Sequence, residues 1–124
     1  MRFMTTVFAK ENQGAPPKSL MDAIGQLGQE AGQAGVFVQM GGLLSTASGG
    51  RIRQAGGKLT VTDGPFTESK EVIGGFAIYE LATKAEAMAW AMRFMKLHVE
   101  HWPAWEGECE VRAMYGEGDG PKTK

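Results

Sequence analysis

The sequence predicts an α+β fold of the ferredoxin-like, split βαβ kind: a βαβ unit, a short inserted hairpin and a second βαβ unit, with an antiparallel sheet carrying both helices on one face. Two segments have apolar residues at helical spacing, and each is flanked by runs rich in β-branched and aromatic residues. A Gly56-Gly57 pair between two short strand-like runs marks a hairpin between the two units. The chain has 124 residues, enough for one real core and too few for two.

Residues 2–8 read as the first strand, and 11–17 as a loop punctuated by Gly14 and Pro16-Pro17. Leu20, Ile24, Leu27, Ala31 and Ala34 then predict a helix over 18–34, stopped by Gly35 in the position of a C-terminal glycine. Gly25, Gly28 and Gly32 along its flank read as tolerated defects, each worth about 1 kcal/mol of helix propensity. A second strand covers 36–44, weakened at Gly41-Gly42. The hairpin strands are 51–54 and 58–62, and 74–81 (GGFAIYEL), apolar on both faces, reads as a central strand. Thr83 and Glu86 form a capping box before a helix over 85–99. Met88, Ala91, Met95 and His98 share one face of it, and Trp90, Phe94 and Leu97 widen the apolar surface. That width predicts contact with a second subunit as well as the sheet. Pro103 ends the helical tendency, and 107–115 is the last strand, with Cys109, Val111, Ala113 and Tyr115 on one face. The expected organisation is a single domain over 1–116 and a polar C-terminal tail over 117–124.

A net charge of -1 argues against nucleic acid as a partner, and no apolar run approaches the ~20 residues of a membrane span. The N-terminal stretch lacks a signal peptide's apolar core, and Cys109 is the single cysteine, so the expected compartment is the cytoplasm.

The segment from Asp63 to Glu71 is the most informative in the chain. It packs Gly64, Pro65 and four charges between strand-like runs, and a turn alone does not need Asp, Glu, Lys and Glu. Asp63 reads as a general base or substrate-orienting carboxylate, or as a turn residue bonded to its own backbone. Glu68, Lys70 and Glu71 read as the polar mouth of a pocket or as a solvated turn. Phe66 and Tyr79 are candidates for the apolar wall. His98 is a candidate acid/base, since imidazole titrates near neutral pH, or a hydrogen-bonded residue of the helix's apolar face. His98, Glu100, His101 and Cys109 make an incomplete ligand set, so no metal and no other cofactor is expected. Trp102 and Trp105 read chiefly as filling the corner between helix and last strand. Cys109 lacks a visible activating neighbour and reads as a small core residue.

The runs KLTVTDGPFTESKEVIGGFAIYE (58–80) and LHVEHWPAWEGECEVRAMY (97–115), and more loosely RFMTTVF (2–8), resemble the YCII-related proteins, specifically their DGPF-domain group. The resemblance implies a dimeric α+β barrel in which two sheets face each other. It implies a His-Asp pair in a cleft of the YCII-type relatives, for which Asp63, just before Gly64-Pro65, is the counterpart. The His does not carry over, because this chain has none before His98. The group is also similar to domains encoded beside extracytoplasmic-function sigma factors, which implies a regulatory protein partner. Two readings follow: a small-molecule site in a homodimeric barrel, with Asp63 or His98 as acid/base, and a non-catalytic interaction or sensor domain linked to transcription. The sequence does not decide whether the protein is an enzyme.

Overall fold

The computed structural model describes residues 1–66 and 71–116. In chain order its elements are β1 (Arg2–Ala9), α1 (Lys18–Gln33), β2 (Phe37–Gly42), a single 3-10 turn (Thr46–Ser48), β3 (Gly50–Ala55), β4 (Lys58–Asp63), β5 (Val72–Glu80), α2 (Lys84–His101) and β6 (Gly107–Ala113). Four strands form an antiparallel sheet in the order β2-β5-β1-β6, while β3 and β4 pair only with each other. The split βαβ arrangement is therefore present. β1 and β2 are separated by β5, the strand whose sequence reads as central.

Both helices lie on one face because one set of alternating residues is apolar. Phe3 pairs with Tyr79 and Ala113, and Thr5 with Ala77 and Val111, so these side chains share a face. Phe3, Ala77 and Tyr79 join Ala31 of α1 and Ala87 of α2 in one buried cluster. Leu20, on the same helix as Ala31, is 1% exposed. The chain leaves α1 through Gly35 at φ 75, and Val36 N–H donates to Ala31 O at 3.0 Å while Gly35 N–H donates to Gly32 O at 3.1 Å. This is the Schellman closure expected of that glycine. At α2, Thr83 caps the helix: Glu86 N–H donates to Thr83 Oγ1 at 3.2 Å, and the Thr83 hydroxyl donates to Glu86 Oε1 at 3.2 Å, a side-chain bond in place of the reciprocal backbone bond of a full capping box. An ion pair between Arg93 and Glu30 ties the two helices together.

The buried stripe of α2 keeps Ala91 and His98 of the expected face but takes in Ala87 and not Met88. Ala87, Ala91 and His98 are buried, whereas Met88 is 47% exposed. The alanines let the helix axis approach the sheet, and this turns the methionine side outward. The inserted hairpin turns through Gly56 and Gly57, both at positive φ, as a two-residue turn of its kind requires. Both of its strands are largely exposed, β4 throughout. Strand β2 is shorter than 36–44: it ends at Gly42, Leu43 keeps one bond to β5 through its N–H to Gly74 O at 2.9 Å, and Leu43 and Leu44 are exposed.

The second face of the sheet carries Met4, Thr6 and Phe8 of β1, their β5 partners Ile78 and Phe76, and Glu108, Glu110 and Arg112 of β6. Neither helix covers it. Among the described residues no helix is long and apolar enough to cross a membrane. The expected tail over 117–124 lies outside the described residues.

Candidate functional site

A cavity of about 600 Å³ lies at one end of the uncovered sheet face. Phe8 and Ile73, paired across the β1–β5 ladder, line its floor together with Val72. Leu43 and Leu44 supply one wall after leaving β2, and the 3-10 turn continues it. Phe66 and Arg51 supply another, the guanidinium carbon lying 4.1 Å from the Phe66 ring centroid. Glu71, immediately before β5, also lines the space. The lining is mostly apolar, and Arg51 and Glu71 are its charged groups among the described residues. Such a space suits a small organic molecule with an apolar body and one or more polar groups.

The walls are fixed by contacts centred on Thr46. Its backbone N–H and its hydroxyl both donate to the Glu11 carboxylate, each at 2.6 Å. The same hydroxyl oxygen accepts from Phe66 N–H at 3.2 Å. Thr46 O accepts from Gly49 N–H at 2.9 Å, and Gly49 O accepts from Gly64 N–H at 2.9 Å. Gly64 presses so closely on this turn that a Cβ there would lie 1.5 Å from Thr46 O. The glycine of the 63–66 string is thus required by a backbone contact, and the peptide bond to Pro65 is cis. The two hydrogen bonds from Thr46 stabilise the Glu11 anion and hold its carboxyl below the usual carboxylate range.

The structure brings only some of the candidate residues to this site. Phe66 and Glu71 line the cavity. Glu68 and Lys70 lie outside the described residues. Asp63 ends β4 opposite Gly50, is exposed, and lines neither this cavity nor the one beside His98. Tyr79 sits on the helix-covered face, 3% exposed and stacked on Trp90 at 5.6 Å. Burial raises its hydroxyl pKa. His98 is 8% exposed, with Nδ1 donating to Phe94 O at 3.1 Å and its ring 4.8 Å from Phe94 and 4.4 Å from Trp105. Burial pushes its pKa down, because a charged imidazolium loses hydration there. A separate cavity of about 410 Å³ lies beside it, bounded by Met92, Val99, Trp102 and Trp105. Asp63 and His98 therefore belong to different regions. Cys109 is partly buried, and burial raises its thiol pKa. Among the described residues no cluster of His, Cys, Asp and Glu is placed to hold a metal ion.

Sequence reasoning missed Glu11, Thr46 and Arg51. Glu11 reads as an ordinary loop residue, and its partner is 35 positions away. Arg51 reads as one residue of a short hairpin strand. No local spacing signals either contact.

The family model of the YCII-related domain matches residues 1–96. The chain is also similar to an uncharacterized protein, R00369, of Rhizobium meliloti (strain 1021), with 29% identity over 120 residues, covering 95% of this chain and 90% of that protein.

Proposed function

This chain belongs to the YCII-related family, and from that premise we propose that it binds a small organic molecule in the cavity beneath the 63–66 segment and works as a homodimer. The observation that carries the binding reading is the cavity of about 600 Å³, apolar in its floor and walls, with Arg51 and Glu71 at its boundary. Arg51 offers a fixed cation and Glu71 a titratable carboxylate for a ligand's polar groups. The Asp63-to-Phe66 string supports a place in the DGPF-domain group of that family. The single Cys109 fits a reducing, cytoplasmic compartment.

The dimer reading rests on surface that a single copy leaves uncovered. Ile52, Leu59 and Val61 alternate along one side of the hairpin and are 69%, 71% and 69% exposed. An isolated two-stranded hairpin is marginal in water, and an apolar side needs a cover. The uncovered sheet face presents Met4, Phe8 and Phe76 as a second apolar surface for such a cover. Light scattering should give twice the chain mass, and Ile52→Glu with Val61→Glu should give the monomer. A monomer at micromolar concentration in the unaltered protein would overturn this part.

The binding reading is tested by a thermal-shift screen against a metabolite library, run on the unaltered protein, Arg51→Ala, Ile73→Trp and Asp63→Asn. Ligands that bind the native state raise the midpoint by mass action. Hits should weaken with Arg51→Ala, vanish when Ile73→Trp fills the floor, and persist with Asp63→Asn, since Asp63 lines no wall of the cavity. Hits indifferent to Ile73→Trp would refute the site. Silence in every protein would shift the balance to the alternative function, a non-catalytic interaction or sensor domain with a regulatory protein partner.

A further inference from the structure

We propose that Glu11 is a positioning residue for this cavity: through Thr46 it clamps the 3-10 turn and the 63–66 segment in the arrangement that forms two of the walls. The inference rests on the binding reading above for its purpose, although the clamp itself is a matter of geometry.

Three distant segments meet at one residue. Glu11 lies just past the end of β1, Thr46 opens the 3-10 turn, and Phe66 follows β4. The Glu11 carboxylate takes both donors that Thr46 has, the backbone N–H and the hydroxyl, each at 2.6 Å. Spending the hydroxyl proton on Glu11 orients the oxygen's lone pairs toward Phe66, whose N–H donates to it at 3.2 Å. The acceptor for Phe66 is therefore aimed by a carboxylate that Phe66 never touches. The Phe66 ring in turn carries the Arg51 guanidinium at 4.1 Å, so the same contact bears on the cavity's cation. Packing does not explain Glu11, which is exposed and lines no part of the cavity. An exposed carboxylate would ordinarily be left to water. Here a charged acceptor makes two short, charge-assisted bonds to one residue, the strong class of hydrogen bond.

The residue types at the clamp are specific. A serine at position 46 keeps both donors and the oxygen lone pairs. Valine keeps the shape and loses the hydroxyl. Glutamine at position 11 keeps the length and loses the charge and one acceptor oxygen.

The test has a structural arm and a binding arm on the full chain. Amide hydrogen exchange is followed at Thr46, Gly64 and Phe66, with Tyr79 and Ala91 as core reporters. Thr46→Val and Glu11→Gln should each speed exchange at the three clamp amides by roughly tenfold or more and leave the core amides unchanged, while Thr46→Ser should restore protection. Unchanged exchange at Gly64 and Phe66 in Thr46→Val would overturn the clamp, as would a loss of protection spread equally through the core. The binding arm uses 8-anilinonaphthalene-1-sulfonate, an apolar anion suited to an apolar cavity with an arginine. The unaltered protein and Thr46→Ser should bind it alike, and Thr46→Val and Glu11→Gln roughly fivefold or more weakly. Equal binding by all four would overturn the positioning role. No binding by the unaltered protein would count against the cavity reading alone, and exchange would then decide the clamp.

Discussion

Replacing Gly64 with alanine should loosen the 63–66 segment from the 3-10 turn and cost measurable stability. A Cβ built on the Gly64 backbone lies 1.5 Å from Thr46 O, 2.6 Å from Thr46 C and 3.3 Å from Ala47 Cα. All three are backbone atoms, so no side chain can swing aside. Restoring ordinary contact moves the two backbones apart by roughly 2 Å. The bonds from Gly64 N–H to Gly49 O at 2.9 Å and from Phe66 N–H to Thr46 Oγ1 at 3.2 Å do not survive such a shift. Two hydrogen bonds at a net value of about 0.5–1.5 kcal/mol each give a loss of about 1–3 kcal/mol. Overpacking penalties fall in the same range. For a domain of this size the midpoint should fall by roughly 4–12 °C. The assay is scanning calorimetry with urea unfolding, the slope of the urea transition staying unchanged. A Gly64→Ala protein with an unaltered midpoint would refute the contact, and with it the explanation of why glycine stands at this position.

Other consequences follow from the same geometry. Gly32 lies in α1 with negative φ and open space where a Cβ would be, so Gly32→Ala should stabilise the protein by about 0.5–1 kcal/mol in urea unfolding. Thr83→Ala removes the oxygen that accepts from Glu86 N–H and should cost about 1 kcal/mol by the same measurement. His98 is held below its unfolded value of about 6.5, so the unfolded chain binds the extra proton between the two values. Its stability contribution is present above about pH 6.5 and is lost as pH falls toward the folded value. Urea midpoints should therefore drop between pH 7.5 and 5.5, and that drop should shrink in His98→Phe.

The order of elements was legible in the sequence because it rests on local signals. The Thr83 cap, Gly35 and the Gly56-Gly57 turn each act within a few residues, and each occupies its expected place. The central position of β5 followed from its apolar run, since a strand with neighbours on both sides needs no polar edge. The face of α2 was less legible. Met88 and Ala91 carry the same hydrophobic signal, and only the close approach permitted by Ala87 and Ala91 decides which is buried. The cavity was partly legible. The 63–66 string drew attention to the right loop, and Phe66 and Glu71 line the space beneath it. Yet the string's glycine serves a backbone contact, and the residues that fix the walls, Glu11 and Thr46, come from other loops. Contacts between loops across 20 or 35 positions leave no periodicity to read. Tyr79 shows the converse: its place in a strand was clear, but which face it occupied depended on register with Phe3.

The most direct test of the account is to map a ligand found by thermal shift onto the protein by backbone amide chemical shifts. The account predicts changes concentrated at Phe8, Leu43, Thr46, Arg51 and Ile73, around the cavity beneath the 63–66 segment. Changes concentrated instead at Met92, His98, Val99 and Trp105 would contradict it and move the binding site to the second cavity, under the end of α2.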